Sequence, residues 1–209
     1  MNTLARTCSA LRLDMVKRTH PEMLSNMKIH YSQPKGFVGR NICYLVMWKN
    51  NCLGSIAGGS ATRFLPNREV ICGLNNGINN IFFHIEPRGG YPTRNFSKKV
   101  LSAYRHQIEI DWLDKYGDEP LWHETLVELP RTGECYKRDG WVEVGQTIGY
   151  TCKRTKGKGT DSWSGKRVWD TENLRPKRVF TRTISLQNAT DSGSNLRDSV
   201  DPVVDGGAK

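Results

Sequence analysis

Two glutamates four residues apart stand in the run Leu121-Trp-His-Glu-Thr-Leu-Val-Glu128. In a strand side chains alternate with period two, so Glu124 and Glu128 share one face. On the inner face near the carboxyl edge of a sheet, two unpartnered acids are too costly to bury. A cation, a metal or an open cleft then resolves the conflict, whereas on an edge strand both are simply solvated. Upstream, His30-Tyr31-Ser32 is a polar and aromatic triplet in a loop. A third group, Tyr91-Pro-Thr-Arg-Asn-Phe-Ser-Lys-Lys-Val100, places Thr93, Arg94 and Ser97 around the start of a helix. Free amides and the helix dipole favour anions there, and a guanidinium pairs with phosphate through two hydrogen bonds. These three residues are candidates for holding an anionic group donor; as an ordinary helix start, Thr93 or Asn95 is its cap.

Elements must position these groups. The first thirty residues read as a short helix and a loop, with Pro21 at the helix start. Asn41–Trp48 and Cys52–Ala57 are β-forming runs around the turn residues Lys49-Asn50-Asn51, hence a hairpin. Val70-Ile-Cys72 offers a short strand, and Asn80–Ile85 a strong one. From Asn95 to Tyr116, apolar residues at 96, 100, 101, 104, 108, 112 and 113 form one stripe of a long amphipathic helix, with Gly117 as its C-cap. Leu121–Val127 is a further strand. Tyr136–Gly140 fits one or two helical turns, Trp141–Gly145 returns as a strand, and Gln146–Arg154 extends the sheet. The pattern is mixed α/β (α+β).

Lys and Arg number 31 against 21 acids, a formal net charge of +10. An excess of this size points to a polyanionic partner, because each neutralised phosphate releases a counterion. The excess is uneven: between Thr151 and Thr183 ten cations oppose three acids, with Trp163, Trp169 and Phe180 interleaved. The expected organisation is a catalytic domain over 1–150, a basic extension over 151–185 and a disordered tail over 186–209. Lys153, Arg154, Lys156, Lys158, Lys166 and Arg167 are the candidate phosphate contacts to double-stranded DNA. No apolar run approaches bilayer length, and Met1–Ala10 lacks a signal-peptide core, so a cytoplasmic protein without a membrane partner is expected. The six cysteines form no CxxC pair, which argues against a zinc ribbon.

The order hairpin, strand, long helix, strand, short helix, strand resembles the core of the GNAT acyltransferase superfamily, a mixed sheet flanked by helices. That family holds coenzyme A at the loop and helix start occupied here by Thr93, Arg94 and Ser97. Phe96 and Lys98 stand where it has small residues. The stretch Gly133-Glu-Cys-Tyr-Lys-Arg-Asp-Gly-Trp-Val-Glu-Val-Gly-Gln-Thr-Ile-Gly149 is more specific. It resembles a segment of the Mom family, phage DNA-modification enzymes with a GNAT-like core, and equally one of the Druantia-type defence domains. His30-Tyr31-Ser32 resembles the Mom family's early His-Tyr-Ser segment. Glu128 replaces that family's aspartate, and Asp139-Gly140 its small polar pair.

The resemblance implies an enzyme that converts the adenine N6 amine of DNA to a carbamoylmethyl derivative, shielding phage DNA from host restriction. It makes Tyr136, Glu128, Tyr31 and His30 candidate catalytic residues, and Glu124, on the same strand face as Glu128, joins them. Acetyl transfer alone does not make that product, because the new bond joins nitrogen to a CH2 carbon. A redox metal or a glycine-like donor is then implied beside acetyl-CoA or another small acyl donor. Were the metal iron, Tyr31, Glu128 and Tyr136, with His30, would supply hard oxygen and imidazole ligands. The target base would have to leave the stack, with Trp141, Tyr136, Tyr150 and Trp163 as stacking surfaces. A conventional GNAT N-acetyltransferase and a non-catalytic DNA-binding defence or counter-defence protein are the alternatives.

Overall fold

A computed structural model describes residues 10–62, 65, 76–86, 95–154, 167–170 and 172–184, with side chains of 151–154 and 167–170 excepted. Among these residues nine strands and three helices follow in the order β1 (Leu11–Val16), α1 (Pro21–Ile29), β2 (Asn41–Trp48), β3 (Asn51–Ser60), β4 (Gly77–Ile85), α2 (Phe96–Tyr116), β5 (Trp122–Glu128), α3 (Glu134–Arg138), β6 (Val142–Thr147), β7 (Thr151–Arg154), β8 (Arg167–Asp170) and β9 (Lys177–Thr183). Seven strands form one sheet in the order β1-β2-β3-β4-β5-β9-β6, and β7 with β8 forms a separate ribbon. Each of these pairings is antiparallel except that of β4 with β5.

Alternation along β2 assigns the two faces. Ile42, Tyr44 and Val46 point into a core with Val100, Leu101, Tyr104, Ile108 and Trp112 of α2. Cys43 points the other way, into a smaller core with Met23 and Met27 of α1, Phe37, Ala57 and Phe82. The apolar stripe expected along α2 is therefore its buried face, save Leu113, which is exposed. Gly117 ends the helix with φ 73°, and its N–H bonds the Leu113 carbonyl at 2.8 Å. A left-handed residue stops the helix there, and only glycine adopts it without cost. Pro21 opens α1, and His20 caps it through Nδ1, which accepts the Glu22 N–H at 3.3 Å.

Three expectations require correction. The first thirty residues contain an edge strand, β1, besides the helix, because Leu11–Val16 pairs along β2 from Trp48 back to Cys43. Of Gln146–Arg154 only Gln146 and Thr147 extend the sheet, as the end of β6; beyond them the chain leaves into the β7–β8 ribbon. The division at residue 150 fails for β9. Val179 and Phe180 are buried, and Lys177–Thr183 lies between β5 and β6 inside the main sheet. Basic composition concealed this, because the cations of β9 are interspersed with apolar residues that fill the core. The Val70–Cys72 strand and the 186–209 tail lie outside the described residues. Among the described residues no helix is long and apolar enough to cross a membrane.

Candidate active site

The parallel pairing of β4 and β5 runs only from Gly77↔Trp122 to Asn80↔Thr125. Beyond it β4 continues to Ile85 and β5 to Glu128 without pairing, so the strands part. At the fork β4 carries a bulge: opposite Ala57–Gly58 of β3, the register skips from Asn80 to Phe82 and leaves Ile81 as an extra residue. A bulge bends its strand and re-aims the side chains beyond it. Thus Asn80 faces the α2 side while Phe82 packs toward α1. A cleft of about 780 Å³ opens in the fork.

Asn80 is the keystone. Its Nδ2 donates to the carbonyls of Ala57 at 3.1 Å and Phe82 at 3.2 Å, spanning the bulge. Its own carbonyl accepts from Thr125 Oγ1 at 3.0 Å across the last paired residues. Its Oδ1 accepts the hydroxyl of Tyr136 at 2.6 Å. Tyr136 is buried on α3, its ring stacked on Phe180 (centroids 5.9 Å) and edge-on to Trp141 (5.2 Å) and Phe83 (6.3 Å). Burial, with Cys135 second, holds its phenol neutral by raising its pKa well above the ordinary value.

A buried polar cluster fixes the end of α3. Arg105 of α2 donates to the Asp139 carboxylate through Nε at 2.8 Å and Nη2 at 3.3 Å. Trp141 Nε1 donates to it at 2.9 Å, and Arg182 of β9 donates to the Asp139 carbonyl. At the other end Gly133 has φ 70°, and a Cβ there would lie 2.6 Å from the Phe180 ring. Glycine lets the chain turn into α3 directly over that ring.

The cleft wall nearer α1 carries the triplet from the sequence. His30 is buried; its Nδ1 accepts the Ser32 backbone N–H at 3.2 Å and lies 2.8 Å from Ser32 Oγ. Burial, then the neighbouring His84, lowers its pKa to about 4, so the ring is neutral at pH 7. Burial likewise lowers His84. Tyr31 is 41% exposed, and the Arg131 guanidinium lies 3.4 Å above its ring centroid. Burial pushes the Cys135 thiol up to about 11, so it is no ready nucleophile.

His30, Tyr31, Glu128 and Tyr136 therefore line one cleft. Glu124 does not. It shares its face with Glu128 by alternation, but it sits where β4 and β5 are still paired. There it is fully buried and accepts the Thr62 N–H, while Asn79 bonds Thr62 Oγ1 at 2.7 Å. Ser97 lies in the first turn of α2, which has no side-chain cap. Thr93, Arg94, Lys156, Lys158 and Lys166 fall outside the described residues; Lys153 and Arg154 lie on β7, and Arg167 on β8.

The expected iron ligands do not fit a metal. The Tyr136 hydroxyl is already committed, donating to Asn80 Oδ1 at 2.6 Å, whereas a phenol ligand would have to give up that bond and its proton. Among the described residues no group of three His, Cys, Asp or Glu converges on a common point. Sequence reading missed Asn80, Arg131 and the Arg105–Asp139 pair. The first left a signal: consecutive asparagines inside a β-forming run are unfavourable and demand a reason.

No family model matches the sequence, nor does any curated protein. Solved structures do. A Bacillus subtilis acetyltransferase in complex with CoA superposes with TM-score 0.51 at 11% identity, over 84% of this chain and 99% of that one. The fold is that of the GNAT acetyltransferases. A GNAT family acetyltransferase from Elizabethkingia anophelis with acetyl-CoA bound gives TM-score 0.49 at 7% identity, covering 84% of this chain and 99% of its own. The spermidine N-acetyltransferase of Vibrio cholerae gives 0.48 at 10%, covering 83% and 94%. Within this GNAT-like fold, the parted strands and the Tyr136 floor are the features that make a site.

Proposed function

We propose that the chain is a transferase of the GNAT type that moves an acyl group from a CoA thioester to an amine. The observation that carries this reading is the parting of β4 and β5 beyond Asn80 and Thr125. It leaves the β4 edge over 81–85 and the β5 edge over 126–128 unpaired toward each other. Such edges bind an extended chain through backbone hydrogen bonds, and the two amides of a pantetheine arm suit them. The start of α2, with no acidic residue in its first turn and with Lys98 and Lys99 there, suits the pyrophosphate. When bound, the thioester supplies an acyl group on an activated carbonyl. Tyr136 contributes a neutral O–H at the floor of the fork, and the wall of His30, Tyr31 and His84 receives the amine.

The finer reading takes that amine to be adenine N6 in DNA, as in the Mom family. It is supported by the net charge of +10 and by the position of the resembling segment, whose Tyr136 lies on the cleft floor. A carbamoylmethyl product then requires a donor beyond acetyl-CoA.

Two measurements test these readings. Calorimetric titration with CoA should give saturable binding, and acetyl-CoA with a panel of amines should release free thiol. Absence of both overturns acyl transfer. Nucleoside mass analysis of DNA from expressing cells should give an adenine of altered mass; unaltered DNA overturns the finer reading alone.

A further inference from the structure

Two cations of the cleft, Arg131 and Lys177, form no ion pair among the described residues. Arg131 touches Tyr31 with the flat face of its guanidinium. Stacking occupies that face and leaves the in-plane N–H groups, the donors that grip oxyanions in pairs. Among the described residues the Arg131 side chain has neither a hydrogen bond nor an ion pair. Lys177, from β9, lines the same cleft and has no carboxylate within ion-pair distance among the described residues. Two acids share this wall: Glu128, opposite Lys177 in the β5–β9 register and 3.9 Å from Arg175, and Glu134, 3.7 Å from Lys137; among the described residues neither forms an ion pair with Arg131 or Lys177. The two histidines add no charge at neutral pH, since burial lowers the pKa of both.

We propose that Arg131 and Lys177 form an oxyanion subsite, and that the acceptor carries a phosphate or carboxylate beside its amine. Tyr31 holds the guanidinium flat and orients its donor edge; it is a positioning residue. The proposal rests on the reading of the cleft as an acceptor site. Phosphate and carboxylate share the chemistry, so the probes are chosen to separate them.

Binding of O-phosphoethanolamine, β-alanine and ethanolamine to the full chain is measured by calorimetry, with and without CoA, in wild type, Arg131→Gln and Lys177→Gln. Arg131 is exposed, so its substitution leaves the fold intact, and thermal midpoints check this. O-phosphoethanolamine should bind about tenfold or more tightly than ethanolamine, the range expected for a hydrogen-bonded charge. That preference should vanish in Arg131→Gln and shrink in Lys177→Gln. A preference for β-alanine of the same size identifies a carboxylate acceptor, and a phosphate-only preference identifies a phosphate ester. Equal binding of all three, or an undiminished preference in Arg131→Gln, overturns the subsite. Thiol release from acetyl-CoA is followed separately. Transfer without anion preference sinks the subsite and spares the acyl-transfer reading, while preference without transfer does the reverse.

Discussion

Tyr136 shows why a hydroxyl can matter twice. Its hydrogen bond to Asn80 lies where β4 and β5 part. Tyr136→Phe keeps the ring packing on Phe180 and Trp141 but leaves Asn80 Oδ1 without its donor. A buried polar atom so stranded costs about 1–3 kcal/mol. The variant should lose transfer activity and also unfold at lower denaturant, which equilibrium urea titration will read. His30 makes a second residue-scale prediction. Its folded pKa, about 4, lies below its ordinary 6.5. Above pH 6.5 both folded and unfolded forms are neutral, and the group does not penalise folding. As pH falls from 6.5 toward 4 the unfolded chain takes the proton first, and stability drops. His30→Gln should therefore flatten the acid limb of the stability curve in that window; an unchanged limb would assign it to other groups. At this scale the sequence was partly legible. The triplet at 30–32, Glu128 and Tyr136 could be named because their types carry chemistry. Asn80 left only the signal of paired asparagines in a β-forming run, which does not give its role at the bulge, and Arg131 left none, because its role arises from a stack between distant residues.

At the scale of elements, α3 is a five-residue helix, too short to hold itself, and it depends on neighbours at both ends. Arg105 and Asp139 tie it to α2 with side chains only 10% and 3% exposed. Removing one partner leaves the other charge buried alone, typically costing about 3–5 kcal/mol. Arg105→Met should thus destabilise by that amount in denaturant titration, and the double variant Arg105→Met/Asp139→Leu should recover much of the loss. Gly133→Ala acts at the opposite end, by strain at φ 70° and collision with Phe180. It should cost activity more than a surface glycine substitution costs. Periodicity made α2 and the β2–β3 hairpin readable, since a long amphipathic stripe and apolar runs flanking the turn residues dominate their local choice. It missed β1, a six-residue strand whose half-exposed positions supply little apolar contrast.

For the whole molecule, the position of β9 changes how its basic residues can be tested. Ending the chain near Thr151 would remove a strand that pairs with both β5 and β6, so such a fragment should lose cooperative unfolding. Charge must be removed by substitution instead. Under the proposed action on DNA, neutralising Lys153, Arg154, Lys156, Lys158, Lys166 and Arg167 together should weaken duplex binding and flatten its salt dependence. The logarithmic slope should fall by about 0.9 for each phosphate that the protein no longer neutralises. Binding with an unaltered slope would exclude these six cations from the contact, and a chain that does not bind duplex DNA would overturn the proposed action on it. Composition had marked 151–185 as one basic extension because charge counts ignore pairing, whereas sheet order is set by residues distant in sequence. The same strand has a consequence for biosynthesis. In the main sheet β6 pairs with β9 alone. On a translating ribosome, at roughly 5–20 residues per second, β6 emerges before the strand that shelters it. The nascent polypeptide must therefore carry the open edge of β5 and an unpaired β6 until Thr183 is made. Chains arrested before Lys177 should be cut readily by protease, and chains arrested well beyond Thr183 should resist.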